Sequence, residues 1–373
     1  MFNLNETQHN ILRQIWMKDS FTRQEISKEL KINRSTVSRN IEGFLDESII
    51  ITDGEISAGQ NGGRKTQKLT LNNDRFYVLG ISIIKRRIFS ILIDLKGNIV
   101  KKGELRKSSV GQSLIQDLKD EIKSYEKYFN KLLGISISLP GVIDSNSGLI
   151  KLSTNLELHK VNLKKTMEDE FGIYTFIEND ANSGAASYLL YLKLQIQNLL
   201  YFMFFFPENI LTLKGMGAGI VINKKLYKGS FYSAGEIKFK QNLPEYKNKS
   251  ISIEDIKNYE TVELSLKEDI ELFISNLADK ISEYSLFMNP DKIVLGGDIL
   301  LIPGKIKNIF INKLYENMEK NHEESFILLD NNKVDTIAIG SAISFMNEFM
   351  NDYDFAKKIL KKMKKGHLNK VSF

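Results

Sequence analysis

Residues Thr22 to Ser48, TRQEISKELKINRSTVSRNIEGFLDES, constrain this chain more than any other stretch. Thr22 followed three residues later by Glu25 is a capping box, in which each side chain takes one of the unpaired amides at a helix start. Ile26 and Leu30 share the inner face of that helix, Lys31-Ile32 is a short turn, and Asn33 caps a second helix. Val37, Ile41, Phe44 and Leu45 recur at helical spacing and bury one side of it. Its other side carries Arg34, Ser35, Thr36, Ser38, Arg39 and Asn40, donors and acceptors suited to phosphates and base edges in a major groove. The pattern predicts a helix-turn-helix that reads DNA. Two amphipathic helices of an ordinary helical domain are the plainer alternative. The joint occurrence of the box, the short turn and the polar front argues against it.

The flanks fit the same reading. Asn5 to Lys18 places Ile11, Leu12, Ile15 and Trp16 in one apolar stripe and completes a three-helix core. After the second helix come Ile49 to Thr52, an Asp53-Gly54 turn and the alternating run Lys68 to Leu71, two strands that make a wing. Between them AGQNGGRK ends in Arg64 and Lys65; glycine lets a backbone press against a surface, and arginine suits a narrow minor groove. A flexible surface loop with incidental charge fits those residues equally well. Residues 1–75 hold eleven Lys/Arg against ten Asp/Glu, so placement rather than bulk charge marks the nucleic-acid face. The seven lysines between Lys357 and Lys370 read first as a solvated terminal helix and only second as a DNA contact.

At 373 residues the chain exceeds what one core organises, so more than one domain is expected: a winged helix over 1–75 and an α/β body over 76–373. The absence of cysteine excludes disulfides and thiolate metal sites and suits a reducing compartment. The longest apolar run, Leu199 to Phe206, is far below the roughly 20 residues that cross a bilayer and reads as a buried strand. MFNLNETQHN has neither a basic start nor an apolar core, so no secretion signal is expected and the cytoplasm is the expected location, without membrane attachment. From Phe76 strands and helices alternate: YVLGISI, RIFSILID, GNIVKKGEL, a helix over Ser113 to Tyr128, LLGISISLP, a helix over Leu163 to Phe171 and GIYTFIEND. A helix from Ala181, the strand LLYFMFFF, MGAGIVI, a helix over Ser265 to Met288, KIVLGG, a helix from Lys305, SFILLD and a final helix from Ala338 follow. Two α/β halves, each opening with strands and closing with helices, predict a two-lobed body with a cleft.

LGISIIKRRIFSILIDLKGNIV, GISISLPGVIDSNSGLI, ENDANSGAASY, GMGAGIVINKKLYKGSFYSAGEI, NPDKIVLGGDI and AIGSAI, in this order, resemble the ROK family of sugar kinases and sugar-responsive repressors. With the helix-turn-helix in front, the chain is similar to the repressor branch. The resemblance implies a two-lobed, actin-like, sugar-kinase-like ATPase fold with sugar in the inter-lobe cleft and operator DNA on the winged helix. It implies sugar contacts from the residues matching Asn155, Asn179, Asp180 and Glu236, beside the Pro140-Gly141 turn. Carboxylates and amides suit hydroxyls because they accept and donate in fixed geometry. Family kinases use the residue matching Asp180 as general base; here it is assigned binding alone, since phosphate handling is damaged. Capping of the helix that starts at Ala181 is the other reading of Asn179 and Asp180.

The departures from the family pattern are local. Where kinases carry an acid and a Gly-Gly-Thr turn around ATP phosphates, this chain has Ser82, Ile83, Ile84, Lys85 and Arg86. The second phosphate loop reads Leu213-Lys214-Gly215 before Gly217 and Gly219, so half of it is lost. Lys85, Arg86 and Lys214 attract phosphate but do not position it for in-line transfer, and a structural turn suffices to explain Gly296 and Gly297. Lys238-Phe239 replaces the usual Gly-His, and residues 240–260 lack the cysteines that hold zinc in many relatives. The expectations are therefore no catalysis, no cofactor, no metal, a small sugar effector and a homodimer that pairs two reading heads on a repressed operator. A sugar kinase fused to a DNA-binding head, and a ligand-independent DNA-binding regulator, are the rival readings.

Overall fold

Asn5, Thr22 and Asn33 each begin a helix by turning a side-chain oxygen back onto the backbone. Asn5 Oδ1 accepts from the Gln8 amide at 2.8 Å, Thr22 Oγ1 from Glu25 at 3.2 Å and Asn33 Oδ1 from Thr36 at 2.8 Å. The helices so started are α1 (Glu6–Lys18), α2 (Arg23–Leu30) and α3 (Arg34–Asp46). Ile11, Ile15, Ile26, Val37, Ile41 and Phe44 are fully buried among them, each contributing about 1.5–3 kcal/mol by leaving water. Leu45 is only half-buried. Strands β1 (Phe21–Thr22), β2 (Ile50–Ile56) and β3 (Thr66–Leu71) form an antiparallel sheet in the order β1-β3-β2, the expected wing.

The Asp53-Gly54 pair is not the turn its sequence suggests. β2 runs through it: Thr52 stands opposite Leu69 and Glu55 opposite Gln67, so one extra residue is accommodated as a bulge, with Gly54 at φ 75°. The computed structural model describes residues 4–18, 20–56, 66–192, 196–240, 242–319, 326–330 and 334–370. The glycine-rich loop with Arg64 and Lys65 lies outside them.

The chain forms two compact units, Met1–Glu178 with Ser341–Phe373, and Asn179–Gly340. In the first, the head is followed by β4 (Tyr77–Ile84), β5 (Arg87–Asp94), β6 (Ile99–Lys102), β7 (Arg106–Lys107), α4 (Gln112–Lys123), β8 (Leu132–Leu139), β9 (Val142–Asp144), β10 (Leu149–Ser153), β11 (Leu158–Asn162), α5 (Leu163–Phe171) and β12 (Thr175–Asn179). The main sheet has the order β12-β8-β4-β5-β6 with β7 beside β5, while β9, β10 and β11 make a small antiparallel sheet. β4 is antiparallel to β5 and parallel to β8. Leu114, Leu118 and Ile122 of α4 and Met167 of α5 pack with Leu79, Ile81, Ile135 and Ile137. The helix expected over Ser113 to Tyr128 stops at Lys123 and resumes as a 3-10 helix over Glu126–Lys131. Tyr125 between them turns inward, where Ser90 Oγ meets its hydroxyl at 2.7 Å and Glu121 Oε1 at 2.5 Å.

The second unit repeats this plan with α6 (Asp180–Tyr191), β13 (Leu199–Phe204), β14 (Gly215–Ile222), β15 (Lys225–Leu226), β16 (Glu236–Lys238), α7 (Ile253–Lys257), α8 (Leu264–Met288), β17 (Lys292–Gly297), α9 (Gly304–Asn317) and β18 (Ile327–Leu329). Its sheet order is β15-β14-β13-β17-β18, with β16 also on β14. β13 is antiparallel to β14 and parallel to β17, as β4 is to β5 and β8. Phe202, Phe204 and Leu295 share a core with Phe273 and Leu277 of α8 and Phe310 and Leu314 of α9. The final helix begins earlier than Ala338: α10 covers Val334–Asn351, and α11 (Tyr353–Lys370) carries the terminal lysines. Among the described residues no helix is long and apolar enough to cross a membrane.

Candidate functional site

α2 ends on Lys31 in the left-handed conformation, φ 54°, so the chain reverses within two residues and α3 starts at Arg34. Burying Val37, Ile41 and Phe44 turns the opposite face of α3 outward. Arg34, Ser35 and Arg39 are exposed, while Thr36, Ser38 and Asn40 are half-buried. Ser35 Oγ donates to the capping Asn33 Oδ1 at 2.9 Å. Asn40 is committed to packing: its Nδ2 donates to Thr36 O at 2.8 Å and its Oδ1 accepts from Asn5 Nδ2 at 3.0 Å. Lys28, Lys31 and Lys68 are exposed in the same unit. The expected DNA residues on α3 therefore form one cationic, hydrogen-bonding face, with Arg34 and Arg39 its two fixed charges.

The expected sugar residues fall into both units. Asn155 is exposed in a 3-10 turn over Thr154–Leu156, after β10 in the first unit. There Ser153 Oγ donates to Pro140 O at 2.5 Å, and Gly141, at φ 130°, lies so close to Leu152 O that a Cβ would approach it to 2.4 Å. Asn179, Asp180 and Glu236 come together in the second unit. Asn179 Oδ1 caps α6, accepting from the Ala181 and Asn182 amides at 2.8 and 3.2 Å. The capping alternative is thus realised by Asn179.

Asp180 behaves differently. It is buried at the start of α6, its Oδ1 accepts from the Ala181 amide at 2.9 Å, and its Oδ2 has no hydrogen-bond partner among the described residues. Burial, opposed by that amide and reinforced by the nearby Glu236 charge, pushes the Asp180 carboxyl up to about 7. Glu236 pairs with Gly217 on β14, and Gly217 lies against Ala181, which fixes the two acids as neighbours. Glu236 keeps much of its surface open, yet the protein crowding its carboxyl raises its pKa as well. Two carboxyls of raised pKa at a helix start form a small acceptor-rich site suited to hydroxyl donors.

The glycines of the phosphate-loop resemblance have packing work instead. A Cβ on Gly219 would come within 2.2 Å of Ala181 O and 2.6 Å of Ala185 Cβ, so this glycine lets β14 approach α6. Gly296 makes room for Tyr201, whose hydroxyl donates to the buried Asp330 Oδ2 at 2.7 Å. Lys85 and Arg86 form the two-residue β4–β5 turn, both in the left-handed region at φ 49° and 56°. Phe239, in place of the family histidine, is buried with its ring 6.2 Å from Phe273, and the segment after it is tied down by Asp269, which accepts from the Lys247 and Asn248 amides. Sequence reasoning missed Asp330, on which Tyr188, Tyr201 and Thr336 converge, because the two tyrosines lie far from it along the chain.

Residues 78–242 match the ROK family. This segment, less than half of the chain, is a ROK family domain. The chain is 34% identical over 267 residues to the xylose repressor of Staphylococcus xylosus, a match covering 68% of this chain and 66% of the repressor, less than two thirds of its length. A solved ROK family transcriptional regulator, described as a homologue of the Escherichia coli MLC protein, is similar across 96% of this chain and 99% of its own at 17% identity, TM-score 0.69. The ROK hexokinase of Thermus thermophilus is similar over 72% of this chain and 97% of its own at 14% identity, TM-score 0.58. These likenesses give the fold, an N-terminal head before the sugar-kinase-like, actin-like body of ROK proteins.

Proposed function

We propose that this ROK chain is a DNA-binding transcriptional repressor of carbohydrate-metabolism genes whose hold on its operator is set by a small sugar at Asp180 and Glu236. The observation that carries the reading is Asp180 Oδ2, a buried acceptor left unmatched beside a second carboxyl. Such a vacancy costs about 1–3 kcal/mol, and a sugar hydroxyl is the donor that relieves it while its neighbour meets Glu236. Asn179, next to Asp180 at the start of α6, belongs to the same ligand set. Residues 1–75 are the reading head, with Arg34, Ser35, Thr36, Ser38, Arg39 and the loop residues Arg64 and Lys65 on DNA, and residues 76–373 are the sugar-sensing body. A homodimer supplies two heads for paired half-sites. The occupied Gly296 position and the Lys85-Arg86 turn, which lacks the glycines a phosphate needs, support a binding protein without kinase activity.

The name of the Staphylococcus relative makes D-xylose the first sugar to test. A melting scan against a monosaccharide panel, with and without ATP and magnesium, joined to gel-shift binding on the DNA flanking the chain's own gene, tests the reading. The expected result is one sugar that raises Tm and weakens the DNA complex. ADP release in a coupled assay would replace this reading with a sugar kinase. DNA binding with no sugar response would replace it with a ligand-independent regulator.

A further inference from the structure

The chain passes between its two compact units at two points, the Glu178–Asn179 bond and a point inside α10 between Gly340 and Ser341. Asn179 caps α6 and Asp180 opens it. Within the second unit, α6 and the first turns of α10 are pressed together: a Cβ on Gly340 would stand 1.7 Å from Ser183 O. Ser183 is one turn along α6 from Asp180, so a ligand that moves the start of α6 meets backbone of α10 with no compressible side chain between them.

Within the first unit, the other half of α10 is anchored and then reaches the head. Ser341 Oγ donates to Ser136 Oγ at 3.0 Å, and the Phe345 ring lies over Gly134, where a Cβ would meet it at 2.4 Å. At the end of the helix, Phe349 O accepts from the buried His9 Nε2 at 2.8 Å, and Asn351 Oδ1 accepts from Arg13 Nε at 2.9 Å. Tyr353, opening α11, donates to Leu4 O at 3.2 Å and sets its ring 5.9 Å from His9. Another side of α1 holds the recognition helix: Asn5 Nδ2 donates to Asn40 Oδ1 at 3.0 Å and Gln8 Nε2 to Asn40 O at 3.4 Å.

We propose that α10 and α1 are the linkage by which occupancy at Asp180 is read at α3, with Gly340 as its input and the His9–Phe349 and Arg13–Asn351 bonds as its output. The proposal rests on the sugar-responsive reading above and names the regulation of that site. A helix transmits a push along its axis because its hydrogen-bonded backbone does not shorten, and α10 is continuous from the Ser183 contact to Asn351. His9 and Arg13 are positioning residues: they touch neither sugar nor DNA, and they fix α1 to α10 as Asn5 and Gln8 fix α1 to α3.

Hydrogen exchange on the full chain tests the linkage first without ligand. In Gly340→Ala, amides of α1 exchange on the order of tenfold faster than in the parent; an effect that stops at Ser341 overturns the proposal. If that variant does not fold, Arg13→Ala with Asn351→Ala, both at an exposed contact, gives the reciprocal test. Coupling runs both ways, so amides of 335–340 and the first turn of α6 then exchange faster by a similar factor, and parental rates there overturn it. D-Xylose adds the regulatory arm: the double variant keeps the parental rise in Tm but loses the sugar's effect on DNA binding, and a retained effect overturns the proposal. A parent chain that responds to no sugar defeats the sugar-responsive reading instead, and the ligand-free arms still decide the linkage.

Discussion

The phenol of Tyr201 occupies the space that a side chain on Gly296 would need, its Oη 2.1 Å from the position of a Cβ there. That hydroxyl donates to Asp330 Oδ2, and Thr336 Oγ1 donates to Oδ1 of the same carboxylate at 2.5 Å. Burial and the Asp330 charge hold the Tyr201 phenol well above its ordinary pKa, so it remains a donor at any pH the protein meets. Tyr201→Phe strips a buried carboxylate of a donor and is expected to cost about 1–3 kcal/mol, read as a lower denaturation midpoint at unchanged m-value. Sugar affinity per folded molecule should not move. A selective loss of sugar binding at parental stability would place Tyr201 in the ligand site instead.

Asp180 gives a prediction with a definite sign. Its pKa rises from 3.8 to about 7 on folding, so between those values the native chain holds a proton that the unfolded chain has released. The stability this contributes is complete below about pH 4 and is lost as pH climbs through 7. Asp180→Asn carries no titrating group, so Tm of the parent should fall relative to the variant from pH 5 to pH 8. Parallel Tm profiles would remove the raised pKa. Because a sugar hydroxyl donates best to the ionised carboxylate, the sugar-induced rise in Tm should be larger at pH 8 than at pH 6.

The head was legible because its determinants are local. Thr22 with Glu25, and Asn33 with Thr36, are neighbours in sequence, and both caps form as read. The main strands of both units also followed, since β4, β8, β13 and β17 are nearly continuous apolar runs with turns between them. What the sequence hid is set by distant partners. Gly217 and Gly219 looked like remnants of a phosphate loop, yet their small size serves α6, and only the folded register shows Ala181 across from them. Asp53-Gly54 has the composition of a hairpin turn, but pairing with β3 carries the strand through it as a bulge. His9 and Arg13 lie off the apolar stripe of Ile11, Leu12, Ile15 and Trp16 that the sequence shows in α1. Their partners on α10 lie about 340 residues on, where no periodicity can announce them. Of the candidate sugar set, the family resemblance implied Asp180 and Glu236 but not that one oxygen of Asp180 has no hydrogen-bond partner among the described residues.

On α3, Arg34 and Arg39 are exposed at positions that α3's buried stripe turns outward. Replacing either with Ala removes a cation without touching the head's core, so thermal stability should stay within about 0.5 kcal/mol. A contact to a base edge should cost about 1–3 kcal/mol of operator binding and relax preference at one position. A contact to phosphate should weaken all sequences alike and reduce the salt slope by about 1. Fluorescence anisotropy on operator and scrambled duplexes at several salt concentrations separates the two. Unchanged affinity in both variants would take α3 off the DNA.

The Lys85-Arg86 turn should be the easiest place to stabilise the chain. Both residues sit in the left-handed region that a β-branched or long side chain enters at a cost of roughly 1–2 kcal/mol, whereas glycine enters it freely. Arg86 gains little in return, because its 3.6 Å pair with Glu157 is exposed on both sides and such pairs are worth about 0–1 kcal/mol. The Arg86 carbonyl, which accepts from the Ser108 amide at 2.8 Å, survives the substitution. Arg86→Gly is therefore expected to be neutral to stabilising by up to about 1 kcal/mol, visible as a rise in Tm of a few degrees at most. A fall of several degrees would mean that the guanidinium holds more than Glu157. Arg86 stands where the kinase pattern has its threonine, so the variant restores neither glycine, and ADP release should be undetectable.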